Sequence, residues 1–178
     1  MDSLYFLIAG CVLFFAAHLY SSFRTRMPSR DVRVSMGEMK FMALYSLVSG
    51  LGFVLMIWGY GLARPSPQIF TPPTWGAHVT MAVMLPALVL FFCNGPHGHI
   101  KQAVKHPMLL GVILWAAGHL LANGELNSLI LFGSFLAYSL IDRVAVMGRE
   151  TPIKKPKISG DIFALCGTRS NAQYPNAG

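Results

Sequence analysis

The sequence predicts an all-α fold, a membrane bundle of about five transmembrane helices, and three observations carry the prediction. The chain has 178 residues, of which 54% are hydrophobic and only 12% charged, with a mean hydropathy of +0.52. That balance is too apolar for a soluble domain of this size. Uncharged runs long enough to cross a ~30 Å hydrocarbon layer, which takes about 20 helical residues, recur along most of the length. Gly and Pro clusters separate the runs.

In order, the runs are Ser3 to Ser22, Phe41 to Ala63, Gly76 to Cys93, Pro107 to Asn123, and Leu126 to Met147. The first lacks a basic n-region and continues through His18-Leu19-Tyr20, so it reads as a retained helix and not as a cleaved signal. Arg64-Pro65-Ser66-Pro67 and Thr71-Pro72-Pro73 end the second, and Gly95-Pro96 ends the third. Pro107 suits a first helical turn, where its missing N–H goes unused. Only Gly124 and Glu125 follow Asn123 before the fifth run, which makes the last two a tight antiparallel pair. Residues 1–147 thus form the transmembrane domain. Residues 148–178, with Pro152, Pro156 and a polar end, read as a mobile cytoplasmic tail.

Basic residues set the orientation. With the N-terminus outside and the C-terminus cytoplasmic, every Lys and Arg except Arg64 falls on the cytoplasmic side. The net charge of +7 is then explained by membrane lipid headgroups, with no nucleic acid required. Cys11, Cys93 and Cys166 show no metal-ligand or disulfide spacing and read as packing residues. Gly59-Tyr60-Gly61 lacks the strand and third glycine of a dinucleotide loop. Ser46 and Gly50, four apart, read as a helix-packing seam. Asp142 and Arg143 are expected to neutralise each other or to reach the headgroups.

Histidines are the residues that could carry chemistry. His119 lies about twelve residues above the start of the fourth run, ~18 Å at 1.5 Å per residue, while His18 is ~6 Å from its boundary. An imidazole at such depth needs a partner, because hydrocarbon offers none. Gly111, Trp115 and His119 repeat every four residues, and Cys11, Phe14, His18 and Ser22 form a comparable stripe. Glycine lets a flat macrocycle approach the backbone, aromatic rings cover its faces, and imidazole binds haem iron. The competing expectation is close helix packing, with each ring donating to a carbonyl across the interface. His97, His99 and His106 are a weaker transition-metal candidate in the loop before the fourth run.

Several blocks then point to a family. His18 with Ser21-Ser22 and Arg24, Gly37-Glu38, Tyr45-Ser46-Leu47-Val48-Ser49, His106-Pro107-Met108-Leu109-Leu110-Gly111, Trp115, and His119-Leu120-Leu121-Ala122-Asn123-Gly124 resemble, in this order, the NnrU family of bacterial integral membrane proteins. The resemblance runs from about residue 5 to residue 147 and implies a multi-pass protein of the bacterial inner membrane. That family is similar to plant 15-cis-zeta-carotene isomerase, a haem b enzyme. The resemblance therefore implies haem b held by His18 and His119, with a redox, isomerase or nitrogen-oxide-related role. A polyene or a nitrogen oxide would be the ligand, and denitrification the context. Ala116 stands where the isomerase has a cysteine, which removes any thiolate at iron.

The depths of His18 and His119 differ by ~12 Å, so on depth alone His106 is the better mate for His18. Gly111, Trp115 and Phe14 are expected to line the site. The alternative function is a non-enzymatic membrane protein that binds or assembles a partner complex, with structural histidines. No intramembrane acid/base pair or nucleophile suggests catalysis without a cofactor.

Overall fold

The computed structural model describes residues 2–23, 31–92 and 103–147. These residues form six helices: α1 Asp2–Phe23, α2 Val32–Met36, α3 Glu38–Leu62, α4 Gly76–Phe92, α5 Pro107–Ala122 and α6 Leu126–Met147. Five match the predicted runs closely, and α2 is an addition. Asp31 caps α2 by accepting from the Arg33 N–H at 3.0 Å. Gly37, at φ +87°, turns the chain into α3 in a conformation that glycine adopts freely, and Arg33 pairs with Glu38 across that turn.

Helices α1, α3 and α6 are long and apolar enough to cross a membrane, whereas α4 and α5 are shorter apolar helices of 17 and 16 residues. The distribution of side chains suits lipid. Leu85, Leu47, Trp58 and Val12 are each more than 60% exposed, while Asn127, Ser128 and Ser139 are fully buried. A water-soluble fold places these classes the other way round.

Helix packing sets the row α3, α1, α6, α5, α4, with α6 touching both the α1–α3 pair and the α4–α5 pair. Glycine permits the closest approaches. A Cβ on Gly10 would stand 2.5 Å from the Met56 backbone nitrogen, and one on Gly52 2.7 Å from that of Phe14. Gly59 meets Leu7 in the same way. Gly50, by contrast, is exposed with open space around it. The expected Ser46/Gly50 seam is therefore replaced by Gly52 and Gly59, on a different face of the helix.

Between α4 and α5, a Cβ on Gly111 would lie 2.7 Å from both the Ala87 carbonyl and the Phe91 nitrogen. Thr80 Oγ1, buried on α4, reaches the Gly76 carbonyl of its own helix at 2.9 Å and the Gly118 carbonyl of α5 at 2.6 Å. Thr80→Val keeps the shape and loses the bridge, so thermal unfolding in mild detergent should show a loss of about 1 kcal/mol.

The 63–75 segment closes the end of the bundle near the α5–α6 turn. Ile69 N–H donates to the Gly124 carbonyl at 2.8 Å and Leu126 N–H to the Pro67 carbonyl at 2.9 Å, and Gln68 and Glu125 form an isolated antiparallel bridge. This is called the loop end below; the opposite one, with Lys40, Lys105 and Arg143, is the basic end.

Candidate functional site

Helix α6 is the floor of a groove whose walls are α1 and α5, and its inward face is aromatic. Phe132, Phe135 and Tyr138 follow one another at three-residue steps. Phe135 is shared by both walls: its ring lies 4.9 Å from Phe15 and 5.9 Å from Phe14 on α1, and 5.2 Å from Trp115 on α5.

The two histidines, both partly buried, stand on the opposing walls. His18 stacks on Phe14 at 4.1 Å and approaches Tyr138 at 5.7 Å and Tyr45 of α3 at 5.4 Å. His119 stacks on Phe132 at 4.4 Å and lies 5.1 Å from Trp115. Aromatic contacts thus run without a break from His18 through Phe14, Phe135 and Trp115 to His119. Their floor contacts, Phe132 and Tyr138, are six residues apart on α6, ~9 Å along the axis, in keeping with the depth difference counted from the sequence.

Both rings are held alike. His18 Nδ1 lies 2.7 Å from the Phe14 carbonyl, and His119 Nδ1 2.9 Å from the Trp115 carbonyl. A carbonyl only accepts, so each Nδ1 carries the hydrogen, and in the neutral ring Nε2 then has the lone pair. The residue four positions earlier supplies both the carbonyl and an aromatic face for the ring, because i and i−4 stack on one helix side. Neither bond crosses a helix interface, contrary to the packing expectation. Thr80 makes that kind of interhelical bond instead.

Other predicted residues take different places. Gly111 faces α4 and does not open toward His18: its notch is filled by the Ala87 and Phe91 backbone. Together with Trp115 it lines an apolar cavity of about 260 Å³, completed by Ala87, Leu88, Phe91, Val112 and Phe135. His106 is the N-cap of α5, and its ring makes no capping hydrogen bond. His97 and His99 lie outside the described residues, as do Cys93 and Cys166. Cys11 is buried in the core with Leu7, Phe15 and Met56. Among the described residues, no three His, Cys, Asp or Glu side chains gather as a metal cage.

Sequence reasoning passed over the floor. Phe132, Phe135 and Tyr138 were visible as a helical stripe in the fifth run, but nothing local said which helix lay between the two histidines. Asp142 continues that stripe. It is 8% exposed and accepts from the Tyr138 hydroxyl at 3.3 Å, so it is buried against Tyr138 instead of extending to the headgroups.

Fold and groove together define a class: a helical membrane-type protein that presents two imidazoles to one aromatic groove. The chain belongs to the NnrU family, whose model, described as NnrU protein, matches residues 6–168. The match extends beyond residue 147, past the resemblance read in the sequence. No curated protein and no solved structure matches the chain.

Proposed function

We propose that this NnrU family protein is a multi-pass membrane b-type haem protein, in which His18 and His119 would hold the haem iron. The observation that carries the reading is the matched pair of imidazoles on facing walls. Each has Nδ1–H tied to a carbonyl of its own helix and Nε2 left as the coordinating atom. A carbonyl behind the ring fixes tautomer and orientation and raises ligand basicity, as it does for metal-bound histidines generally. The surroundings are apolar, since Phe14, Trp115, Phe132 and Phe135 supply rings with no charged group among them. His106, at the N-cap of α5 and outside the run of rings that joins His18 to His119, is the weaker candidate.

When bound, haem supplies one-electron chemistry or an iron coordination position. The chain's own residues hold the imidazoles, exclude water and offer an apolar cavity beside Trp115. That cavity favours an uncharged ligand, a polyene or nitric oxide, over charged nitrite. Redox or isomerase activity of this kind is the reading we adopt, in the bacterial inner membrane, with five spans and the basic end cytoplasmic. Helices α4 and α5, at ~25 Å, cross with little tilt or local thinning of the bilayer.

Protein purified in mild detergent from haem-replete cells should show a Soret band that sharpens on reduction, with one b-type haem per chain by pyridine haemochrome. A folded, colourless preparation from the same cells would assign the histidines to structure and the protein to partner binding.

A further inference from the structure

A second group of polar residues lies at the loop end, outside the aromatic groove. There, Arg64, Gln68, Asn123 and Glu125, with Pro65 and Pro72, line an open crevice of about 600 Å³. Arg64 is pre-positioned. Its guanidinium donates to the Tyr60 hydroxyl at 2.8 Å and sits over the Tyr60 ring at 4.7 Å. Tyr60 is tied in turn to the fully buried Ser128 at 3.0 Å. Among the described residues neither Arg64 nor the Glu125 carboxylate forms an ion pair, although both line one crevice.

The two amides are half-engaged. Gln68 donates through its nitrogen to the Phe70 carbonyl and Asn123 through its nitrogen to the His119 carbonyl, which leaves both amide oxygens as acceptors. The crevice therefore offers an anchored cation together with a carboxylate and two carbonyl-type acceptors. Its level in the bilayer is marked by amphipathic rings. Tyr5, Trp58 and Trp75 are 67%, 61% and 56% exposed at this end, and such aromatics settle at the depth of the lipid headgroups.

We propose that this crevice binds the headgroup of a zwitterionic phospholipid bearing a primary ammonium, with the phosphate on Arg64 and the ammonium on Glu125, Gln68 and Asn123. Guanidinium recognises phosphate through paired N–H donors. An ammonium group has three hydrogens to donate, and the crevice presents a matching set of acceptors. A trimethylammonium head has none to give, and an anionic glycerol head leaves Glu125 unpaired. The inference does not depend on haem.

The test uses the full chain, delipidated in detergent and offered phosphatidylethanolamine, phosphatidylcholine and phosphatidylglycerol with the same acyl chains, with bound lipid read by native mass spectrometry. Retention of phosphatidylethanolamine about tenfold above phosphatidylcholine is expected, the size of one charged hydrogen bond. Arg64→Gln should lower phosphatidylethanolamine and phosphatidylglycerol alike, Arg64→Lys should recover much of the loss, and Glu125→Gln should abolish the preference for phosphatidylethanolamine over phosphatidylglycerol. Equal retention of all three lipids by the unaltered chain overturns the proposal, as does a preference that survives both Arg64→Gln and Glu125→Gln. Glycerophosphoethanolamine, the same head without chains, should compete only weakly; displacement at equal concentration reassigns the crevice to a soluble ligand and also overturns it.

Discussion

Alanine at His119 or at His18 is expected to remove the Soret band while leaving the helical circular dichroism unchanged. Each ring's only hydrogen bond among the described residues is to a carbonyl four residues back in its own helix, so removing it breaks no hydrogen bond between helices. What is lost is one Nε2 and a partly buried aromatic contact, a packing cost of about 1–3 kcal/mol. The third variant makes the experiment decisive. His106→Ala should keep the band, because that ring stands at the helix cap, away from the run of rings joining His18 to His119. If the band survives His119→Ala and disappears with His106→Ala, the pairing favoured by depth alone is the correct one and the one proposed here is wrong.

Two glycines nine residues apart on α3 should respond to alanine with opposite signs. A Cβ on Gly59 runs into the backbone of Leu7, and backbone cannot swing aside as a long side chain does. The α1–α3 pair must part, at a cost on the order of 3 kcal/mol. Gly50 has nothing within 4 Å of its would-be Cβ, so Gly50→Ala gains helix propensity, up to about 1 kcal/mol. Thermal unfolding of the two variants in one detergent measures both. Equal destabilisation would mean that α3 turns a different face to α1.

Each predicted run is a helix in the structure, because length, hydropathy and Gly/Pro punctuation are local and additive along the chain. Pro107 opens its helix as expected. The depths of His18 and His119 were countable for the same reason, since a helix rises evenly. Their aromatic companions at i−4, Phe14 and Trp115, were legible from helical periodicity. The short helix α2 was not read, because its five residues carry neither a long period nor a hydrophobic run.

By itself, then, the sequence determined the helical membrane character, the helix boundaries and the two histidines that each follow an aromatic residue by four positions. Tertiary structure alone decided which faces meet. α3 carries small residues at 46, 50, 52 and 59, so two faces were available for a seam, and only the approach of α1 selected Gly52 and Gly59. Gly111 looked like a notch for a macrocycle until α4 filled it. Likewise, α6 became the floor between the histidines, and Asp142 turned inward to Tyr138, through contacts between residues distant along the chain. Helix formation depends on neighbours a few positions away, but the choice of packing face is set by shape complementarity between whole helices, which local periodicity does not encode.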